Sequence, residues 1–233
     1  MSTTKTNETL LVVGAGPGIG RSVTTLFASK RYSNVALVAR SSDQLSIEKA
    51  AIEEAVGSQV KVKTYTVDVV ETEAFTNALD QADSELGKPS CVFFNAARVQ
   101  PSELLKHEIK EIEYDFKINV SALYLVAQRY VPHLLELAKS NSGSPPALLV
   151  TSSILPLDPH PQFFALSLVK ASQRNMMQSL WKTYDSEGVH IGLINVGGQV
   201  SPEHETWNPS NIAQKTWGWF SQIKEKPSFE VVI

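Results

Sequence analysis

Short apolar runs recur along the chain, and each is followed by a polar stretch with apolar residues at helical spacing. Residues 10–13 (L-L-V-V) form the first run and stop at Gly14, which reads as a buried strand. Helical spacing follows over residues 20–30, then a second strand over 34–38. Residues 43–56 are rich in Ala and Glu and predict a helix. The alternation over 59–67 predicts a third strand with one wetter face, and 71–86 a helix closed by Gly87 near its C-cap. Residues 91–94 (C-V-F-F) are the fourth strand. A long helical region spans 103–139, with Pro132 expected to bend or divide it. A loop over 141–146 (N-S-G-S-P-P) leads to a fifth strand over 147–151. A helix over 162–184, a strand over 190–196, a helix over 212–224 and a strand over 229–233 complete the pattern.

Strand and helix alternate to the end with no repeat and no linker. That alternation predicts an α/β fold: a doubly wound, Rossmann-like parallel sheet with helices on both faces, forming a single domain over residues 1–233.

Composition narrows the function classes. With 233 residues and 42% hydrophobic content, the chain can bury a core without staples. A formal net charge of -3, with acids and bases mixed, points away from nucleic acid or an anionic membrane as partner. No run reaches the 18 apolar residues of a membrane span, and no apolar segment precedes the first strand, so no signal peptide is expected. The single cysteine, Cys91, lies in an apolar run and reads as a buried strand thiol, in keeping with a reducing, cytoplasmic setting.

The chemistry begins at G-A-G-P-G-I-G, residues 14–20, placed between the first strand and the first helix. Glycine there permits a tight turn and close approach of backbone to phosphate oxygens. The helix N-terminus then offers free N–H groups to a dinucleotide's diphosphate. The second strand ends in V-A-L-V-A-R, without the acid that would bind a ribose 2′-hydroxyl. Arg40 can instead pair with a 2′-phosphate, Ser41 can donate to it, and Arg21 is a candidate second cation. The cofactor expected on this basis is NADP.

The spacing G-x-x-x-G-x-G resembles the short-chain dehydrogenase/reductase family, and the resemblance runs over essentially the whole chain. Asp68 matches the acid that contacts adenine. F-N-A-A at residues 94–97 resembles the family's N-N-A-G, keeping Asn95 and Ala96. Asn119 in K-I-N-V matches the asparagine that holds a relay water. Ser153 matches the catalytic serine, and Lys170 the lysine of Y-x-x-x-K. The resemblance places cofactor contacts at Gly14, Gly16, Gly18, Ile19, Gly20, Arg40, Ser41, Asp68, Val69, Asn95, Ala96, Lys170 and Val200. It implies a small-molecule substrate and a homo-oligomer, dimer or tetramer, paired through the helices flanking the fifth strand. The family's tyrosine falls four residues before Lys170, at Leu166, and Ser153 stands thirteen residues before that, so the register is kept while the tyrosine is absent.

Leucine has no polar hydrogen, so it can neither give nor take the carbonyl proton. Asp158 and His160, in the loop L-D-P-H-P, are candidate replacements; the alternative is a proline-bounded turn with both side chains in water. H-E-I-K-E, residues 107–111, has one histidine where a zinc helix needs two, and no metal is expected. Trp207, Trp217, Trp219 and Phe220 either line a lid or pack the last helix on the sheet, and residues 200–208 are short for a lid. Three functions stay open: an NADPH-dependent oxidoreductase for a carbonyl, imine or enone; a non-redox isomerase or cyclase on the retained scaffold; and a non-catalytic NADPH-binding protein.

Overall fold

A computed structural model describes residues 6–140, 145–222 and 228–233. Seven strands form one parallel sheet in the order β3-β2-β1-β4-β5-β6-β7. They are β1 (Thr6–Val13), β2 (Tyr32–Ala39), β3 (Lys61–Thr66), β4 (Cys91–Phe94), β5 (Ala147–Ser153), β6 (His190–Val196) and β7 (Glu230–Val232). Helices α1 (Ile19–Lys30), α2 (Ser42–Val56), α3 (Thr72–Leu86), α4 (Ile109–Phe116), α5 (Ala122–Lys139), α6 (Phe164–Tyr184) and α7 (Pro209–Phe220) connect them.

The central strands carry apolar runs, such as residues 10–13 of β1 and all of β4, because both faces of the sheet are covered there. Along β1, Leu11 and Val13 face one core, and Leu10 and Val12 the other; along β4, Val92 and Phe94 alternate with Cys91 and Phe93 in the same way. The first core packs against α3, α5 and α6, the second against α1, α2 and α7. A fully buried side chain such as Phe93 contributes about 1.5–3 kcal/mol. Strand order reverses between β1 and β4, where the two neighbouring crossovers run to opposite sides and leave a crevice at the carboxyl ends of the strands.

Several elements differ from the pattern. β1 begins at Thr6 rather than residue 10, and β5 runs on to Ser153. β2 starts at Tyr32, whose ring stacks on Phe27 (centroids 6.3 Å) and carries the strand back into the core. Residues 103–108 are not helical: the chain turns there, with Leu105 at φ 67°, and α4 opens only at Ile109. Pro132 does not divide the long helix, since α5 runs through it. The interruption is instead a π turn over Lys117–Ser121, where the Ala122 N–H reaches back to the Lys117 carbonyl. α7 starts earlier than expected because Asn208 caps it, accepting from the Asn211 N–H at 2.8 Å, with Pro209 in the first turn. Its expected end at residue 224, and residues 141–144 of the expected loop, lie outside the described residues. Gly87 closes α3 at φ 79°, as the pattern predicts. No helix of the described residues is long and apolar enough to cross a membrane.

Candidate nucleotide and substrate cleft

The crevice is built first by backbone. Gly14 turns the chain off β1 at φ 93°, and the Gly14 and Ala15 N–H groups both donate to the Val38 carbonyl, at 2.8 and 3.1 Å. A Cβ on Gly14 would stand 2.4 Å from the Ala96 nitrogen, so β1 and β4 meet there only through glycine. Asn95 ties the strand ends together. Its N–H donates to the Val13 carbonyl, its Nδ2 to the Gly14 carbonyl at 2.9 Å, and its Oδ1 accepts from Thr151 Oγ1 at 2.8 Å.

Gly16 and Gly18 face open space, where side chains would intrude on anything lying along the loop. Gly18 caps α1 with no side chain to satisfy the helix, and the first turn of α1 holds no acid. A helix left uncapped in this way presents its first N–H groups, at Ile19 and Gly20, to an anion. The loop therefore fits a dinucleotide's diphosphate.

A cavity of about 340 Å³ opens from this loop toward β2 and β3 and is lined by Arg40, Ser41, Asp68, Val69, Asn95 and Ala96. Arg40 is half exposed; its Nη1 donates to Tyr114 Oη at 3.2 Å and lies 3.9 Å from Asp68. Tyr114 in turn donates to Asp68 Oδ2 at 3.0 Å, while Arg98 stacks on the tyrosine ring at 4.8 Å. Ser41 caps α2 by accepting from the Gln44 N–H, which leaves its hydroxyl proton free to donate. Arg21 is not in this cavity. One residue past Gly20 it has turned away from the loop, and it forks onto the carboxylate of fully buried Glu48, at 2.6 and 2.9 Å. The expected second cation is thus committed to joining α1 and α2.

On the other side of Gly16 and Pro17 lies a cavity of about 530 Å³, lined mostly by apolar atoms and by Ile19, Ser153, Leu155, Leu166, Lys170 and Val200. Leu166 is buried against it, one helical turn before Lys170 on the same face of α6. Lys170 Nζ donates to the Thr151 carbonyl and to Gln173 Oε1, each at 2.9 Å. Both partners are neutral, and burial pulls the ammonium down to about 7. Ser153 Oγ accepts from the Leu155 N–H at 3.3 Å and remains half exposed toward the cavity.

Asn119 does not line the cleft. It lies behind Lys170 in the π turn, its Nδ2 donating to the Asp115 carbonyl at 2.9 Å and its Oδ1 buried without a partner. Asp158 and His160 stand exposed outside the cleft lining. The His160 Nδ1 accepts from the Gln162 N–H at 3.2 Å, and its ring leans on Phe163. The structure therefore brings together Ser153, Leu166, Lys170 and the glycine loop, but not Asp158 and His160.

The tryptophans pack rather than cover. A Cβ on Gly198 would overlap the Trp207 ring at 1.9 Å, and Trp207 Nε1 donates to the Ile233 carbonyl at 2.9 Å, so Trp207 fills the space beneath the Gly197-Gly198 segment. Trp217 and Phe220 pack α7 on Phe27 of α1, with centroids at 4.9 and 5.0 Å. Among the described residues no group of acidic, histidine or cysteine side chains is placed to hold a metal.

Three residues that hold site or candidate side chains in place escaped the sequence reading: Tyr114 beside Arg40, Glu48 on Arg21 and Gln173 on Lys170. Gln173 alone left a signal, since Leu166, Lys170 and Gln173 fall at i, i+4 and i+7, one face of α6.

Residues 8–211 match the family model described as short chain dehydrogenase. Human 17-beta-hydroxysteroid dehydrogenase 13 is 33% identical over 133 residues, which cover 55% of this chain but only 42% of the human protein. Glucose 1-dehydrogenase of Gluconobacter oxydans is 23% identical over 85% of this chain and 71% of its own. Among solved structures, L-sorbose reductase from Gluconobacter frateurii, complexed with NADPH and L-sorbose, shares the fold with a TM-score of 0.83 at 17% identity, covering 100% of this chain and 97% of that one.

Proposed function

The chain belongs to the short-chain dehydrogenase family of oxidoreductases, and we propose that within it this is a cytoplasmic NADPH-dependent enzyme reducing a small carbonyl, imine or enone without the family's tyrosine. The carrying observation is the shared face of Leu166 and Lys170 in the apolar cavity beside Ser153. The backbone of residues 14–20 binds the diphosphate. Arg40 and Ser41 select the 2′-phosphate, as no acid occupies the end of β2. Lys170 holds the nicotinamide ribose, and Ser153 donates to the substrate's heteroatom. The reduced nicotinamide, when bound, supplies a hydride.

Leu166 changes which acceptors suit this site. A positioned general acid contributes roughly 10²–10⁴ in rate, about 3–5 kcal/mol. An iminium or an enone demands less of it than a ketone, whose developing alkoxide must be protonated as hydride arrives. The apolar lining favours acceptors carried on hydrophobic groups. A dimer or tetramer belongs to the same reading, paired through α5 and α6, where exposed Tyr124 and Leu168 would be covered.

The test is a titration with NADPH and NADH, followed by NADPH oxidation with a panel of ketones, imines and enones. Tight NADPH binding with turnover on an imine or enone supports the proposal. Tight binding with no turnover points to a non-redox or purely binding role, and no binding of either nucleotide ends it.

A further inference from the structure

Behind Lys170 the structure holds an element that the reaction described above does not use. Gln173 has no exposed surface. Its two amide atoms face two different partners: Oε1 accepts from Lys170 Nζ at 2.9 Å, and Nε2 donates to the Asn119 carbonyl at 2.8 Å. The π turn over Lys117–Ser121 carries Asn119, fully buried, to where α6 crosses it. The carboxamide therefore spans the gap between a lysine and an asparagine carbonyl.

A water in such a gap could take a proton from one side and release another to the next, and so carry protons away from the lysine. A carboxamide accepts at one end and donates at the other, but its Nε2 protons are not acidic and its Oε1 is not basic near neutral pH. The same two hydrogen bonds that a bridging water would make are thus present with no proton path through them.

We propose that Gln173 is a positioning residue that seals Lys170 from behind: it fixes the Lys170 ε-amino group at the cleft and closes the route for protons toward Asn119. With Leu166 in front, Lys170 is left without a proton conductor on either side, and its work is to hold a ligand's hydroxyl groups. The proton consumed in turnover enters from solvent at the mouth of the cleft, beside Ser153. The importance of this seal to catalysis rests on the reading of the cleft as a nicotinamide site; the seal itself does not.

The experiment uses the full chain with no nucleotide, ¹⁵N-labelled at lysine, with the Lys170 Nζ signal assigned from its loss in Lys170→Arg. Exchange of the Nζ protons with water is measured at pH 6. In the wild type these protons exchange at least tenfold more slowly than those of exposed Lys106, and Gln173→Ala, which opens room for water, speeds them at least tenfold. Gln173→Asn, one methylene too short to reach both partners, gives the same acceleration and covers the case in which the alanine variant does not fold. A wild-type rate equal to that of Lys106, or variant rates within twofold of wild type, overturns the seal. Neither outcome depends on nucleotide binding, so failure of the seal and failure of the proposed activity are told apart by the NADPH titration.

Discussion

Arg21 Nε lies 2.6 Å from the carboxylate of Glu48, a side chain with no exposed surface. The pair is half open at the arginine and closed at the glutamate, so removing Arg21 leaves a buried carboxylate without its cation, with the Gln44 amide still donating to it. Arg21→Ala should cost about 2–4 kcal/mol of stability, since a buried ion pair broken from one side is far more costly than a surface pair. Affinity for NADPH should stay within twofold of wild type, because Arg21 does not line the cavity beside Arg40 and Ser41. Urea unfolding and a fluorescence titration check both halves. A large loss of NADPH affinity in a well-folded variant would return Arg21 to the nucleotide site.

Arg40 is the opposite case. It is half exposed, held by a single hydrogen bond to Tyr114 and a long contact with Asp68, and is free to turn onto a phosphate. Charge-assisted hydrogen bonds to a phosphate contribute about 1.5–3 kcal/mol, so Arg40→Ala should weaken NADPH binding roughly ten- to hundredfold and leave NADH binding nearly unchanged. Equal losses for the two nucleotides would show that Arg40 does not read the 2′-phosphate.

These two arginines also show what a linear reading can reach. Gly14 and the Leu166 register were legible because a turn and a four-residue spacing are local properties. The place of Arg40 beside the crevice was legible because it follows a strand whose carboxyl edge faces it. Arg21 was misplaced because one residue past Gly20 a helix has turned by about 100°, and that angle aims the side chain at α2. Gln173 and Tyr114 act through the crossing of α6 over the π turn and through the approach of α4 to Asp68 in the loop after β3, and no periodicity encodes either contact. The π turn itself repeats over too few residues to leave a pattern, whereas Pro132, the visible breaker, sits harmlessly within α5.

Leu166→Tyr places a phenol one turn before Lys170 in the family's register. Reduction of simple ketones, followed as kcat/KM for NADPH oxidation, should rise about tenfold. That falls short of the roughly 10²–10⁴ that a general acid contributes, because the seal at Gln173 closes the route through Lys170 and leaves the phenol only the entry of protons from solvent beside Ser153. Leu166→Tyr with Gln173→Ala should recover at least a further tenfold. If neither variant gains ketone reduction, the inferred geometry of Leu166, Ser153 and the substrate is wrong.

His190 begins β6 with its ring 4.3 Å from Trp219 and stacked on Phe220, and both ring nitrogens are buried without partners. Burial lowers it from 6.5 to about 4. Between these values the unfolded chain binds a proton that the folded chain refuses, so stability falls as pH drops from about 6.5 to 4. The full effect is about 3 kcal/mol, at 1.36 kcal/mol for each unit of separation. His190→Leu should flatten the acid limb of the urea midpoint against pH; an unchanged limb would place the acid sensitivity elsewhere.

Lys170 has the same sign in a higher window. Burial alone takes it from 10.5 to about 7. Below pH 7 both states carry the charge, and the folded protein bears the full cost of keeping it out of water. Between about 7 and 10.5 only the unfolded chain holds the proton, so this cost is relieved as pH rises. Lys170→Met removes the charge in both states. It should therefore be more stable than wild type at pH 7, with the advantage shrinking toward pH 9.5 by at most about 1.4 kcal/mol per pH unit. Buried Tyr130 and Cys91, whose ionisation is pushed up, titrate alike in both proteins and cancel in the difference. Parallel curves for the two proteins would mean that Lys170 keeps its charge throughout, stabilised by something other than the Thr151 carbonyl and Gln173.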